Sequence, residues 1–243
     1  MPFTFSHPAA VLPLNYLPKK WVSLTALVVG SMTPDFEYFI RMKVSAKYSH
    51  GWVGMFWFDL PLALLLLWLY NTIIKDKLID HLPAYFNKRF SAFKNPAPDH
   101  FKSSIIAIIF SSLIGIASHL LWDSFTHPMG YFVKHHHILS RKVSVANHFI
   151  QTYNILQHLS TLVGFLIILY AITKLPVGKL TGNRKGVFYY WLKITGIAAA
   201  ILVTRLLLGL SLKEYGDVIV TGISGMLIGL VIVSAITPTK QRA

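Results

Sequence analysis

The chain alternates long apolar runs with short polar connections, and the runs have membrane-crossing length. Residues 52–74, 104–127, 154–173, 187–210 and 218–237 are each about long enough to cross a bilayer as a helix. The last is an uncharged run of 20 residues. The other four carry few ionisable groups: Asp59 in the first; His119, Asp123 and His127, confined to the last third, in the second; His158 in the third; Lys193 and Arg205 in the fourth. Ahead of them lie two shorter apolar pieces, 8–17 and 20–33, separated by Pro18-Lys19-Lys20. Neither spans comfortably alone, so together they predict a helical hairpin over residues 8–33 with the Pro-Lys-Lys turn at its tip. Pro34 is expected to end its second helix. The expected fold is an all-α polytopic transmembrane bundle: a short-helix hairpin and about five full crossings, in a single integral membrane domain over residues 1–243.

Composition agrees. Only 13% of residues are charged, against about 25% in soluble domains, and mean hydropathy is +0.54. There is no cysteine, so no disulfide framework and no thiolate metal site are available, and a metal would be held by His and carboxylate. The net charge of +14 could suggest nucleic acid. The Lys and Arg residues instead cluster in the connections between apolar runs, which favours membrane topology over nucleic acid as their explanation. The opening MPFTFSHPAA has no basic stretch ahead of its first apolar residues and is not a typical signal peptide. No internal repeat or low-complexity stretch is evident.

The hairpin returns the chain to the side where it began. It brings His7 and Asp35 to one membrane face, and the connection 34–51, ending near His50, stays there. Residues 52–74 cross away and 104–127 cross back, so Asp123 and His127 arrive at the same face. The connections on that face (34–51, 128–153, 211–217) hold seven Lys or Arg. Those on the other (75–103, 174–186, the C-terminal tail and the Lys19-Lys20 tip) hold fourteen. The positive-inside rule then makes the second face cytoplasmic, with the C-terminus, and turns the first outward to periplasm or exterior. The 29-residue connection 75–103 is expected to be the main cytoplasmic feature, an amphipathic surface helix followed by a Pro-rich turn.

Within SHLLWDSFTHPMG, His119, Asp123 and His127 recur every four residues, which keeps them on one helix face. Imidazole and carboxylate together suit zinc and similar divalent ions. Ionisable groups are costly in lipid and point to function there. With the partners that topology brings, the candidate metal ligands are His7, Asp35, His50, His119 and Asp123. Glu37 and His127 are candidate general bases or neighbours of the metal. Gln157 and His158 are candidates for a second metal position or a substrate contact, and equally for a structural contact between helices. Asp59 with Lys193 or Arg205 is read first as intramembrane ion pairing. His135-His136-His137, beside Lys134, Arg141 and Lys142, is read as a solvated basic segment near lipid phosphates.

The segments MPFTFSHPA, GSMTPDFEYF, YSHGW, SHLLWDSFTHPMG and LQHLSTLVG resemble a bacterial family of uncharacterised membrane proteins classed as a domain of unknown function. Their order is more distantly similar to LexA-regulated membrane-bound metal-dependent hydrolases, and the His-x-x-x-Asp helix to zinc-dependent phospholipase C and P1-nuclease-like enzymes. The resemblance implies His7, Asp35, His50, His119 and Asp123 as ligands. Glu37 stands where that pattern has a second Asp, and no His-x-x-x-Glu helix is present to hold a further zinc.

These readings point to a membrane-embedded metal-dependent hydrolase in a bacterial inner membrane. Its site would face outward, its metal would be zinc, manganese or iron, and its substrate a phosphoester or lipid-linked molecule. Two other classes fit the same sequence. A transporter would use Asp59, Lys193 and Arg205 near the midplane. A structural or signalling protein would use the His/Asp cluster only as a stabilising network.

Overall fold

The computed structural model describes residues 3–18, 20–94, 105–145, 148–182 and 184–238. Lys19 at the expected hairpin tip, the Pro-rich turn within 95–104 and the tail 239–243 lie outside them. The fold is all-α, with five helices long and apolar enough to cross a membrane, as in a multi-pass membrane protein.

In chain order the helices are α1 (Pro8–Val11), α2 (Leu24–Met32), α3 (Phe36–Arg41), α4 (Trp52–Asp80), α5 (Ala84–Phe90), α6 (Ile105–Thr126), α7 (Tyr131–His135), α8 (His137–Ser140), α9 (Thr152–Thr173), α10 (Arg184–Leu207) and α11 (Tyr215–Ile236). Strands β1 (Lys142–Val145) and β2 (His148–Gln151) pair antiparallel, with Lys142 opposite Gln151 and Ser144 opposite Phe149. The spans are α4, α6, α9, α10 and α11, one for each apolar run. Large apolar side chains such as Leu162, Leu166 and Leu169 on α9 point outward, as a lipid-facing surface requires.

Three local outcomes refine the sequence reading. α2 ends at Met32, as Pro34 predicts, but the chain does not become a loop. Pro34 lacks the N–H that would continue α2, yet its fixed φ suits the start of a new helix, so a 3₁₀ turn (Thr33–Asp35) leads straight into α3. α3 stops at Met42, whose left-handed φ of 50° turns the following Lys43 N–H back to the Tyr38 carbonyl. α4 runs six residues past 74, because Lys75, Asp76 and Lys77 are half-buried on a helix that still buries Ile79. Two π-turns, Met55–Asp59 and Tyr70–Ile74, interrupt it. The strand pair was not anticipated. It falls inside the connection 128–153, where KVSV alternates polar and apolar over only four residues and HFIQ does not alternate, too short a signal to mark a strand in a polar connection.

The described residues form two compact units. The first comprises Met1–Pro34, Tyr48–Leu64 and Asp99–Ala171. Its centre is the close pairing of α2 with α6. A Cβ on Gly115 would lie 2.4 Å from the Leu27 carbonyl oxygen and 2.7 Å from the Ser31 nitrogen. One on Gly30 would lie 2.4 Å from the Ser112 carbonyl oxygen. Only glycine permits that approach of two backbones, the small-residue packing typical of membrane helices. Ser23 caps α2 by accepting from the Ala26 N–H, and its own N–H donates to Ser111 Oγ on α6. Val11, Val22 and Leu27 form the apolar core beneath. The N-terminal stretch is held to α9, where the Phe3 N–H donates to Thr161 Oγ1 at 3.0 Å and a Cβ on Gly164 would lie 2.8 Å from Ser6 Cβ.

The second unit comprises Asp35–Lys47, Leu65–Pro98 and Ile172–Ala243. α10 and α11 pack through Tyr190, Ile194 and Val233, with Tyr190 Oη 2.8 Å from Ser234 Oγ. Ser224 on α11 donates to the Phe39 carbonyl, and Arg205 to the Met42 carbonyl. Asn87 on α5, fully buried, donates to the Ile79 and Thr181 carbonyls and accepts from the Thr181 N–H.

Candidate metal centre

Four of the five residues expected as ligands come together. One ligand atom each from Asp35, His50, His119 and Asp123 lie within 4.8 Å of one another. Zinc bonds of about 2.0–2.2 Å place opposing ligand atoms roughly 3–4 Å apart, so the group needs only small side-chain adjustments to close on an ion.

Each member is positioned for a local reason. His119 and Asp123 are one turn apart on α6, and His119 Nε2 lies 3.4 Å from Asp123 Oδ2. The α2–α6 backbone contact puts the Ser31 carbonyl oxygen 2.8 Å from His119 Nδ1. A carbonyl can only accept, so Nδ1 carries the proton and Nε2 presents its lone pair toward the carboxylate. This is how metal-binding histidines are generally oriented. His50 sits in the segment before α4 with φ of 63°, a left-handed conformation uncommon for a side-chain-bearing residue. Its Nδ1 lies 2.7 Å from Ser49 Oγ, and its Nε2 faces Asp123 Oδ2 at 3.7 Å. The contact of Gly54 with Tyr48, where a Cβ would lie 1.9 Å from the Tyr48 carbonyl oxygen, folds this segment tightly. Asp35 closes the 3₁₀ turn that extends α2 and is fully buried.

The fifth expected ligand, His7, stands beside the four. Its ring stacks on His119 with centroids 3.8 Å apart, and its Nε2 is 3.7 Å from the other carboxylate oxygen, Asp123 Oδ1. The remaining sequence candidates fall elsewhere. His127 is half-buried one turn past Asp123, and its Nδ1 accepts from the Met129 N–H. Glu37 is buried with Oε1 taken by Arg41 Nε at 2.7 Å and the Lys47 N–H at 2.8 Å. His158 is exposed on α9 and does not join the group, and Gln157 is half-buried. Asp59 is fully buried at the first π-turn, Lys193 is exposed, and Arg205 is committed to the Met42 carbonyl. His135, His136 and His137 are exposed, as a solvated segment should be.

Sequence reasoning missed the supporting atoms. Ser49 was legible, since a hydroxyl next to a candidate ligand is a natural partner for it. The Ser31 carbonyl was not, because any residue supplies a carbonyl and only the helix packing aims it.

The donor set fits a divalent cation on its own chemistry. It holds imidazole nitrogen and carboxylate oxygen, without sulfur. Asp35 and Asp123, 0% and 5% exposed, sit close together in a dry site where two negative charges repel and each is costly to bury. A cation between them offsets both effects.

No curated protein and no solved structure matches the chain. Residues 1–235 match the family described as Domain of unknown function (DUF4184), and the chain belongs to that family.

Proposed function

We propose that this protein is a metal-dependent hydrolase embedded in a bacterial inner membrane, with its site facing outward and acting on a phosphoester or lipid-linked substrate. The observation that carries the proposal is the convergence of Asp35, His50, His119 and Asp123 within 4.8 Å, with Asp35, His119 and Asp123 buried and His50 half-buried. The distant similarity of the His-x-x-x-Asp helix to zinc-dependent hydrolases adds to it. Zinc suits the two imidazoles best, with manganese or iron as the other choices.

Asp35, His50, His119 and Asp123 would hold a divalent ion, which would supply an acidified water and Lewis acidity toward an ester. The chain's own residues prepare the site for it. Ser31 and Ser49 fix the rings of His119 and His50, so little reorganisation is left for the reaction. His7, stacked on His119, closes one side of the site and keeps Asp123 Oδ1 from bulk water. His127, one turn beyond Asp123, is assigned a place beside the metal, its Nδ1 lone pair being held by the Met129 N–H. Glu37, tied to Arg41 and the Lys47 N–H, is assigned a positioning role for the segment that leads to His50.

Purified protein in detergent, analysed for bound metal and assayed on a chromogenic phosphodiester, tests this. Bound zinc, manganese or iron, with hydrolysis lost in Asp123→Ala, supports it. Protein that binds no divalent ion sinks it. Bound metal with no hydrolysis of phosphoesters, including lipid phosphoesters, leaves a structural metal site and removes the enzyme.

A further inference from the structure

A second functional surface lies in the segment that joins α6 to α9. Between Asp123 and Glu214 the chain has no acidic residue, so this segment carries Lys134, Arg141 and Lys142 uncompensated. Its exposed side chains are nevertheless apolar to an unusual degree. Ile138 and Phe149 are each 77% exposed. They do not sit on a loose loop. Phe132 stacks on Phe125 of α6 with centroids 4.1 Å apart, and β1 pairs with β2. The Arg141 carbonyl accepts from both the N–H and the hydroxyl of Thr152, the first residue of α9. Because side chains alternate along a strand, Lys142 and Ser144 share a face with their cross-strand partners Gln151 and Phe149. An aromatic ring and an ammonium group therefore project together. Both ends of the segment adjoin helices long and apolar enough to span, α6 and α9, which tethers it near the headgroup region of a bilayer.

We propose that this segment is a bilayer-docking element. In it Phe149 and Ile138 enter the interface, while Lys134, Arg141 and Lys142 bind the phosphates of anionic phospholipids in the same membrane. Charge decides the occupant. A basic, acid-free surface with amphipathic aromatics, anchored at headgroup level, matches an anionic lipid layer, and nothing in it would pair with the Lys and Arg of a second copy. The proposal rests on the membrane reading of the fold and is independent of the metal.

The absence of cysteine makes the test direct. Phe149→Cys in the full-length protein, labelled with an environment-sensitive fluorophore, is placed in nanodiscs of phosphatidylcholine alone or mixed with phosphatidylglycerol. Some discs carry a headgroup-proximal spin-labelled lipid as quencher. The expected result is blue-shifted emission with quenching in the anionic discs. Docking should weaken by about fivefold for each charge removed in Arg141→Gln and Lys142→Gln. Leu162→Cys on the outward face of α9, labelled in parallel, must report the bilayer core in every disc, which separates failed docking from failed insertion. Aqueous emission at position 149 in both lipids, with the label at position 162 still in the core, overturns the proposal. So does quenching that is equal in neutral and anionic discs, or shielding that occurs only when two copies share a disc.

Discussion

The α2–α6 pair and the α10–α11 pair are built with the same device and put it to different uses. In both, glycines bring two helix backbones into contact. A Cβ on Gly115 would meet the Leu27 carbonyl at 2.4 Å, and one on Gly225 would meet Ala198 Cα at 2.8 Å. In α10–α11 the contact buries Tyr190, Ile194 and Val233, and the hydroxyls inside it are satisfied locally, as between Tyr190 and Ser234. In α2–α6 the same closeness aims a main-chain carbonyl at an imidazole, and the buried polar groups around it are histidines and aspartates. Small-residue packing in lipid thus supplies either adhesion or alignment. Which one results depends on whether a titratable side chain sits one turn from the glycine, as His119 does from Gly115.

The sharpest way to break the comparison is to remove a ligand. His119→Ala is expected to weaken divalent-metal binding by well over about 100-fold, since even supporting residues cost about 10–100-fold. Titration calorimetry on the purified protein measures it, and unchanged affinity would make the two pairs equivalent after all. Next comes the packing itself. Gly115→Ala and Gly225→Ala should each destabilise by about 1–3 kcal/mol, the usual cost of overpacking, read from thermal melts in detergent. Only Gly115→Ala should also lower metal affinity, because only there does the helix spacing set a ligand. A smaller effect is expected from Ser49→Ala, which takes away the hydroxyl beside His50 Nδ1. Its predicted cost is about tenfold in metal affinity, with the melting temperature almost unmoved. Smallest is Tyr190→Phe, which loses the bond to Ser234 for about 0.6 kcal/mol and should leave metal binding as it was.

The five spans were legible because lipid demands long uninterrupted apolar runs, and such runs have no other common meaning. His119 and Asp123 were legible for the complementary reason: a charge in such a run needs a justification, and the four-residue spacing gives one. Asp35 and His50 were expected beside them from the face each connection was read to reach, and the group contains both. Other features left weak traces or none. α3 was hidden because Pro34 reads as a stop, although a proline that ends one helix is also well suited to begin another. The strand pair was hidden because each strand is four residues long and only one of them, KVSV, alternates. The six-residue extension of α4 was hidden because half-buried Lys and Asp side chains look like a loop when burial is unknown. His158, a candidate for a second metal position or a substrate contact and equally for a helix contact, is exposed on α9.

The left-handed backbone at His50 bears on which ions such a centre could hold. That conformation is cheap for Gly, Asn and Asp and costly for β-branched residues. A change from His50 to Asp therefore keeps the loop and replaces a nitrogen donor by an oxygen. The centre would then hold one imidazole and three carboxylates, a set that prefers manganese or magnesium to zinc. His119 has no such freedom, because its ring donates to the Ser31 carbonyl while its other nitrogen faces Asp123. One position in the site is open to exchange of metal preference by a single substitution, and the other is fixed by the packing of two helices.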